Sequence, residues 1–245
     1  MQREELAASA QRLVEVFADH RLVDLSRRLE PGIPSYPTHP KYFQMPWRSM
    51  GDPAEMNQLV LGEHTGTHVD APSHFVTEGD PARRHIDELV LETFCGRALT
   101  MSFGPFEGPN ELVRLRDVQR WEDEQAEVRA GDIVLIDFRW AGRWAHVPQG
   151  FAFLEGWPGL ARDAAEYLAD RRVKAVGTDC VSLDPGDGGG GELAAHYTLL
   201  PAGILIMENV ANLDQLPPVS FVMALPLPIA NGTGSPVRAV ALVPR

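Results

Sequence analysis

Cysteine is scarce in this sequence, which contains Cys95 and Cys180 among its 245 residues. Two cysteines that lie far apart and form no CxxC arrangement exclude a disulfide framework and a thiolate zinc site of the zinc-finger kind. We expect both to be thiols of the core, with Cys180 placed after Asp179, where it can line a pocket.

Long apolar runs and an excess of positive charge are also absent. No run approaches the roughly 18 apolar residues of a membrane-spanning helix, and the start, Met1 to Glu5, is unlike a signal peptide. With 22 Lys and Arg against 34 Asp and Glu, the formal net charge is −12, which argues against nucleic acid or an anionic membrane as partner. We therefore expect a cytoplasmic protein that acts on a small-molecule substrate.

Motifs of two other enzyme classes are missing. No GxSxG nucleophile elbow occurs, which argues against a serine hydrolase of that type. The glycine-rich run at 186–191 is followed by no Gly-Lys-Ser/Thr. We therefore interpret this run as a mobile loop rather than a phosphate cradle.

What the sequence does contain is a dense set of possible metal ligands. His64, His68, Asp70 and His74 fall within eleven residues. Imidazole nitrogens and carboxylate oxygens suit zinc, manganese, iron or cobalt, and a zinc site with three protein ligands keeps a position open for water. The stretch therefore predicts a catalytic metal site, and the lack of thiolate ligands disfavours a purely structural one.

Only a bent strand brings these ligands together. In a helix, at about 100° per residue, Asp70 would lie roughly 120° or more from His64. In a strand His64, His68 and Asp70 point to one side, but six residues at about 3.3 Å each would separate the outer two by some 20 Å. We expect the chain to bend at Gly66, so that His64 swings in toward Asp70.

Patterning along the chain indicates a strand-rich α/β domain, residues 23–245, preceded by an N-terminal helical extension, residues 1–22. An apolar stripe at 3–19 predicts a helix that docks on the body of the protein or on a second subunit; it comprises Leu6, Ala10, Leu13, Val14 and Phe17. Prolines at 31–46 predict a loop that can close over the site, and 158–170 predicts a helix. The strand candidates are 58–63, 67–70, 97–103, 132–138, 173–178, 204–207, 220–225 and 237–243.

Other candidate residues are ambiguous when taken singly. Glu208 follows the apolar run 204–207, where a buried carboxylate needs a partner or a metal, but a solvated strand end explains it equally well. His196 lies in a short helical stretch closed by Pro201, where a lone histidine is more often a surface or core residue than a ligand. Aromatic residues between two strand candidates predict either a substrate wall or ordinary core packing; they are Trp140, Trp144, Phe151, Phe153 and Trp157.

Four blocks, in order, resemble the putative cyclase family of metal-dependent hydrolases. They are Asp24-Leu25-Ser26 with Pro34-Ser35-Tyr36-Pro37; HTGTHVDAPSHF at 64–75; Gly177-Thr178-Asp179 with Ser182, Asp184 and Pro185; and His196 with Glu208 twelve residues later in Leu205-Ile206-Met207-Glu208-Asn209. The resemblance covers roughly residues 24 to 240. It implies the swivelling β/β/α fold, usually as a homodimer or a larger assembly.

The resemblance also implies a set of metal ligands. In the kynurenine formamidases of this family, a first ion is bound by the residues that match His64, His68 and Asp70. A second ion is bound by those that match Asp70, His196 and Glu208, so that Asp70 bridges the pair. Some members of the family, isatin hydrolases among them, look mononuclear. The resemblance therefore implies one or two zinc or manganese ions per chain.

Function follows from the resemblance as an expectation. His74 matches the proton donor and acceptor, and Tyr36 stands where kynurenine formamidases carry a substrate-stacking Trp. We expect a metal-dependent hydrolase that cleaves an amide-type C–N bond of a small aromatic substrate with metal-activated water, as arylformamidases of tryptophan catabolism do. Opening of a cyclic amide or lactone, as in isatin hydrolases, is the alternative, and a catalytically silent metal-binding protein is a third reading.

Overall fold

The fold is built on one large mixed sheet. The computed structural model describes residues 3–48, 51 and 53–245. The strands are β1 (His20–Asp24), β2 (Phe43–Trp47), β3 (Met56–Val60), β4 (His68–Asp70), β5 (Cys95–Ser102), β6 (Leu112–Val113), β7 (Ile133–Asp137), β8 (Gly159–Leu160), β9 (Ala175–Thr178), β10 (Leu205–Glu208), β11 (Val219–Met223), β12 (Gly234–Pro236) and β13 (Val240–Pro244). The helices are α1 (Arg3–Asp19), α2 (Leu115–Glu124), α3 (Arg162–Asp170), α4 (Gly188–Gly191) and α5 (Ala194–Leu199).

Nine of these strands form the main sheet, in the order β1-β13-β11-β5-β7-β9-β10-β4-β12. Strands β5, β7, β9 and β10 are mutually parallel, and β4 runs antiparallel to β10 at one end of that block. Every residue of β7 is buried, as expected for a parallel strand covered on both faces. The carboxyl ends of the parallel strands therefore meet at one edge, beside β4.

Two apolar cores lie on the two faces of the sheet. Because side chains alternate along a strand, Val134 and Ile136 of β7 join one core while Ile133 and Leu135 join the other. The first core also takes in side chains from α2, α3 and α5, namely Val118, Trp121, Ala164, Leu168, Ala195 and Leu199. These helices fix the segment that carries α5 next to the carboxyl end of β10.

The structure confirms a single mixed α/β domain with an N-terminal helix. Each of the eight predicted strands corresponds to an observed one, but β1, β2, β6, β8, β12 and α2 were not expected. The glycine-rich run, interpreted as a loop, contains the short helix α4. The predicted helix at 158–170 begins only at Arg162, because Gly159–Leu160 pairs with Leu112–Val113 instead. The boundary between residues 22 and 23 falls within β1, so the division into extension and domain stays a prediction; Met1 and Gln2 lie outside the described residues.

Two surfaces are unusually apolar. The predicted stripe on α1 faces solvent rather than the body of the protein, with Leu13 62% exposed and Val14 61% exposed. Strands β2 and β3 pair with each other as a separate two-stranded sheet, the hairpin, which is exposed on all ten strand residues. No helix in the described part of the chain is long and apolar enough to cross a membrane.

Candidate metal centre

The chain bends at Gly66, as the sequence predicts. Gly66 has a φ of +63°, in the left-handed region, and a Cβ there would lie 2.6 Å from a methyl carbon of Leu29. The bend leaves His68 and Asp70 on β4 and turns His64 back toward them. As a result His64 Nδ1 lies 2.6 Å from Asp70 Oδ1, instead of the roughly 20 Å of a straight strand.

Strand register brings the next ligand candidate to the same place. His68 and Asp70 are two residues apart on β4 and share one face of the sheet. Glu208, the last residue of β10, is the antiparallel partner of His68. Its Oε2 lies 3.4 Å from His68 Nε2, and all three side chains are buried.

His196 reaches this cluster from α5. Its Nδ1 is held by Asp184 Oδ2 at 2.5 Å, and the Asp184 carboxylate also accepts the backbone N–H groups of Ala195 and His196. The Nε2 of His196 therefore faces the cluster, 3.5 Å from Asp70 Oδ2 and 3.4 Å from Glu208 Oε1. Asp184, whose role was not foreseen, positions a ligand candidate in the way that carboxylates commonly orient metal-bound histidines.

Unsatisfied buried atoms test whether these residues fit a cation. His68 Nδ1 contacts the backbone oxygen of Gly66 at 2.8 Å, which leaves Nε2 facing the carboxylates. His68 Nε2 and Asp70 Oδ2 are both buried and have no hydrogen-bond partner. Leaving such atoms unpaired costs about 1–3 kcal/mol each. A divalent cation between them would satisfy both, so the donor set fits a metal ion.

Electrostatics lead to the same conclusion. Burial by itself would raise the pKa of Asp70, but the rings of His64, His196 and His68 hold it well below the usual range. Burial likewise opposes protonation of His196, yet Asp184, Asp70 and Glu208 raise its pKa to about 10. The buried carboxylates thus require positive charge nearby, which in the metal-free protein comes from protonated imidazoles and which a divalent cation could supply instead.

His74 lies at the rim of the cluster. It is the last residue of a short 3-10 turn, Pro72–His74, and its ring centroid lies 4.1 Å from that of His64. Burial, reinforced by the nearby imidazoles and opposed by Asp70, lowers the pKa of His74 to about 4. The ring is therefore neutral at pH 7.

The candidate ligand atoms form two groups that share Asp70. One group is His64, Asp70 and His74, and the other is His68, Asp70 and Glu208; within each, the ligand atoms lie within 4.8 Å of one another. The resemblance pairs His64 with His68 instead and makes His74 a proton carrier. That division of ligands, and the number of ions, stay predictions.

A turn in the proline-rich segment adds two residues to the site. The His39 N–H donates to the Tyr36 carbonyl oxygen, closing a turn with Pro37 at its second position. The Tyr36 ring lies 6.2 Å from Trp157, edge to face, and the His39 ring lies 5.5 Å from that of His64. Tyr36 is thus near the cluster, as expected; His39 was missed, because a lone histidine in a loop gives no signal in the sequence.

Comparison with known proteins places the chain in a family. The family model described as putative cyclase matches residues 23–185. The chain belongs to this cyclase family. Isatin hydrolase of Roseibium aggregatum is 35% identical over 200 residues, 77% of this chain and 75% of that protein. Kynurenine formamidase of Bacillus thuringiensis is 29% identical over 221 residues, 89% of this chain and 95% of that protein.

A solved cyclase-family structure agrees with the fold over nearly its whole length. Isatin hydrolase A from Labrenzia aggregata, bound to benzyl benzoate, superposes with a TM-score of 0.88 at 30% identity and covers 97% of this chain and 100% of that one. These relatives are hydrolases, which supports a hydrolase here. The family membership confirms the resemblance derived from the four sequence blocks.

Proposed function

We propose that this cyclase-family protein is a metal-dependent hydrolase that cleaves an amide-type C–N bond in a small aromatic substrate. The observation that carries the proposal is the buried cluster of candidate ligands around Asp70. Within it, His68 Nε2 and Asp70 Oδ2 are buried and have no hydrogen-bond partner. Its composition of nitrogen and oxygen donors suits zinc or manganese. The ligands would be His64, His68, Asp70, His196 and Glu208.

A divalent ion held by these residues would act as a Lewis acid and would lower the pKa of bound water toward about 7. The chain itself supplies the proton transfers. His74 is neutral at pH 7, so it can accept a proton as water attacks the acyl carbon and can return that proton to the leaving nitrogen. A pKa of about 4 makes the protonated ring a strong donor to the leaving nitrogen and the neutral ring a weak base, so its uptake of a proton depends on the lowered pKa of the water.

Aromatic side chains near the cluster support the proposal of an aromatic substrate. Tyr36 and Trp157 meet edge to face, and the Phe75 ring lies 4.6 Å from the His196 ring. Rings in these positions offer offset or edge contacts to an aryl group. His39, beside Tyr36, adds a nitrogen that can bond a polar substituent of the substrate.

The substrate class that we favour is a cyclic aryl amide, which the enzyme would hydrolyse by opening the ring. The isatin hydrolase relative shares 35% identity, compared with 29% for the kynurenine formamidase relative. Tyr36, in place of the Trp implied by the resemblance to formamidases, narrows the stacking surface for N-formylkynurenine. Hydrolysis of an N-formyl arylamine is the second candidate, because the same proton transfers by His74 serve both reactions.

The first experiment compares isatin and N-formylkynurenine by absorbance with zinc- or manganese-loaded protein. We expect turnover of isatin at kcat/KM of about 10⁴ M⁻¹s⁻¹ or more, abolished by a chelator and restored by the metal. Turnover of N-formylkynurenine instead would identify an arylformamidase. Metal-loaded protein inert toward both, and toward other aryl lactams and lactones, would favour a silent metal-binding protein.

We further propose that the chain forms a homodimer or a larger homo-oligomer. One face of the hairpin carries Phe43, Met45 and Trp47 on β2 opposite Val60, Gln58 and Met56 on β3. The apolar members of this set are 46–54% exposed. An exposed face that is apolar at five of six positions is typical of a protein interface, and a second copy of the chain would cover it.

A further inference from the structure

Outside the ligand cluster, Thr233 contacts the His64 ring, and Glu63 in turn contacts Thr233. Thr233 precedes β12, the edge strand next to β4, and Glu63 precedes His64 in the chain. Thr233 donates its backbone N–H and its hydroxyl to Glu63 Oε2, at 2.8 and 2.6 Å. The same hydroxyl oxygen lies 3.0 Å from His64 Nε2. Neither Glu63 nor Thr233 has a role in the proposed reaction.

Counting protons fixes the direction of this chain of contacts. A carboxylate only accepts hydrogen bonds, so the single hydroxyl proton of Thr233 is directed to Glu63. The Thr233 oxygen is then an acceptor toward His64, and His64 Nε2 must carry a hydrogen. Nδ1 lies 2.6 Å from Asp70 Oδ1 and donates a hydrogen to that carboxylate in the metal-free protein. A cation would displace this hydrogen, and Nδ1 is then the ring nitrogen that offers a lone pair.

Packing holds the His64 ring in that orientation. Gly234 is the antiparallel partner of Asp70, and a Cβ on Gly234 would lie 2.6 Å from His64 Cε1 and 3.0 Å from Nδ1. The ring therefore rests directly on the backbone of β12. Thr233 and Gly234 together set both the plane of the ring and the nitrogen that it presents.

We infer that Glu63 and Thr233 are positioning residues that commit His64 to bind the cation through Nδ1. The inference rests on the proposed metal site. It sets His64 apart from the other two histidines, because Gly66 and Asp184 occupy Nδ1 of His68 and of His196 and leave Nε2 for the ion. A hydroxyl that links a histidine to a carboxylate acts here as the orienting partner commonly found behind metal ligands.

The test measures zinc affinity and the His64 tautomer separately from turnover. We expect Thr233→Val to weaken zinc binding about 10–100-fold in a chelator competition. Thr233→Ser, which keeps the hydroxyl, should restore it to near the wild-type value. Thr100→Val is the matched control, since the buried Thr100 hydroxyl has no hydrogen-bond partner and lies on β5. In zinc-loaded, ¹⁵N-labelled wild type, long-range NMR spectra should show a hydrogen on His64 Nε2.

Glu63→Ala provides a second route in case Thr233→Val does not fold. Without Glu63 the Thr233 hydroxyl is free to turn its proton toward His64, so we expect weaker zinc binding and loss of the single tautomer. Wild-type zinc affinity in a folded Thr233→Val or Glu63→Ala protein, or His64 bound through Nε2, would overturn the inference while leaving the metal site intact. A wild-type protein that binds no divalent metal would instead overturn the proposed function, and this inference with it.

Discussion

The ligand cluster and the hairpin differ in which kind of side chain they bury and which they expose. In the cluster, charged and polar side chains are buried: Asp70 is 1% exposed and His68 is 2% exposed. In the hairpin, large apolar side chains face solvent: Trp47 is 53% exposed and Phe43 is 54% exposed. Each arrangement is costly for an isolated chain. The difference underlies the two proposals, which give the regions different partners, a cation in one case and an apolar surface in the other.

The largest expected effect comes from removing the shared ligand. Asp70→Asn takes away the carboxylate that both candidate ligand groups contain. We expect loss of the bound metal and a fall in kcat/KM of about 10³-fold or more, since several kcal/mol of transition-state stabilisation depend on the ion. Metal content by mass spectrometry and steady-state kinetics measure the two effects.

Asp170→Asn, an exposed residue at the end of α3, is the control and should retain both metal and activity. Full metal occupancy in Asp70→Asn would break the comparison, because the cation would then be bound without the buried carboxylate that both ligand groups share.

A substitution of His74 tests whether this residue is a metal ligand or a proton carrier. Its ring belongs to one of the two ligand groups, yet its expected role is proton transfer. We expect His74→Ala to keep its metal and to lose about 10²–10⁴-fold in kcat, the usual contribution of a general acid–base residue. His146→Ala is a suitable control, since His146 is exposed and pairs at the surface with Glu30. Loss of metal from His74→Ala would make His74 a ligand instead.

How far the sequence predicted this site depends on the distance between the residues involved. The bend at Gly66 followed from spacing alone, because His64 and Asp70 are six residues apart and their separation can be calculated for each backbone conformation. His196 and Glu208 could be assigned only through the family resemblance, since no local pattern indicates that α5 and β10 meet β4. His39, Glu63 and Thr233 were missed for the same reason.

For the fold as well, local patterns could be predicted from the sequence and pairing between distant segments could not. Strand β7 has four consecutive apolar residues before Asp137 and was predicted within one residue at each end. Strand β12, Gly-Ser-Pro, has no strand propensity and exists because it pairs with β4. The α1 stripe was found by its period, but the period could not tell whether the body of the protein or another subunit covers it.

The hairpin is tested by placing a charge on its apolar face. Met45→Glu should weaken self-association at least about 100-fold, because a two-fold contact would bury the charge twice without a partner. Gln44→Glu introduces the same charge on the opposite face and should leave assembly unchanged. Analytical ultracentrifugation over a range of concentrations measures both. A monomeric wild-type protein would show that the exposed apolar surface needs no second copy.

Asp179 offers a third case for comparison, a buried carboxylate whose hydrogen-bond donors come from the chain itself. This fully buried carboxylate accepts the backbone N–H groups of Phe138, Trp140 and Ala141. Burial, with a contribution from Asp137, nevertheless raises the pKa of Asp179 to about 6, although the three N–H groups lower it. The Arg27 guanidinium also interacts with this carboxylate. No metal ligand set surrounds it among the described residues, so the cost of burying the charge appears as a dependence of stability on pH.

The sign of that dependence is opposite to the one usual for an aspartate. Because the folded pKa lies above the unfolded value of 3.8, the folded state binds the proton more tightly, and stability is lost as the pH rises from about 4 to about 6. The loss is at most about 3 kcal/mol. Asp179→Asn cannot titrate, so the difference in unfolding free energy between wild type and variant should fall over this range in urea titrations of metal-free protein. A difference that grows with pH would show instead that the three N–H groups outweigh burial and that the chain stabilises this charge unaided.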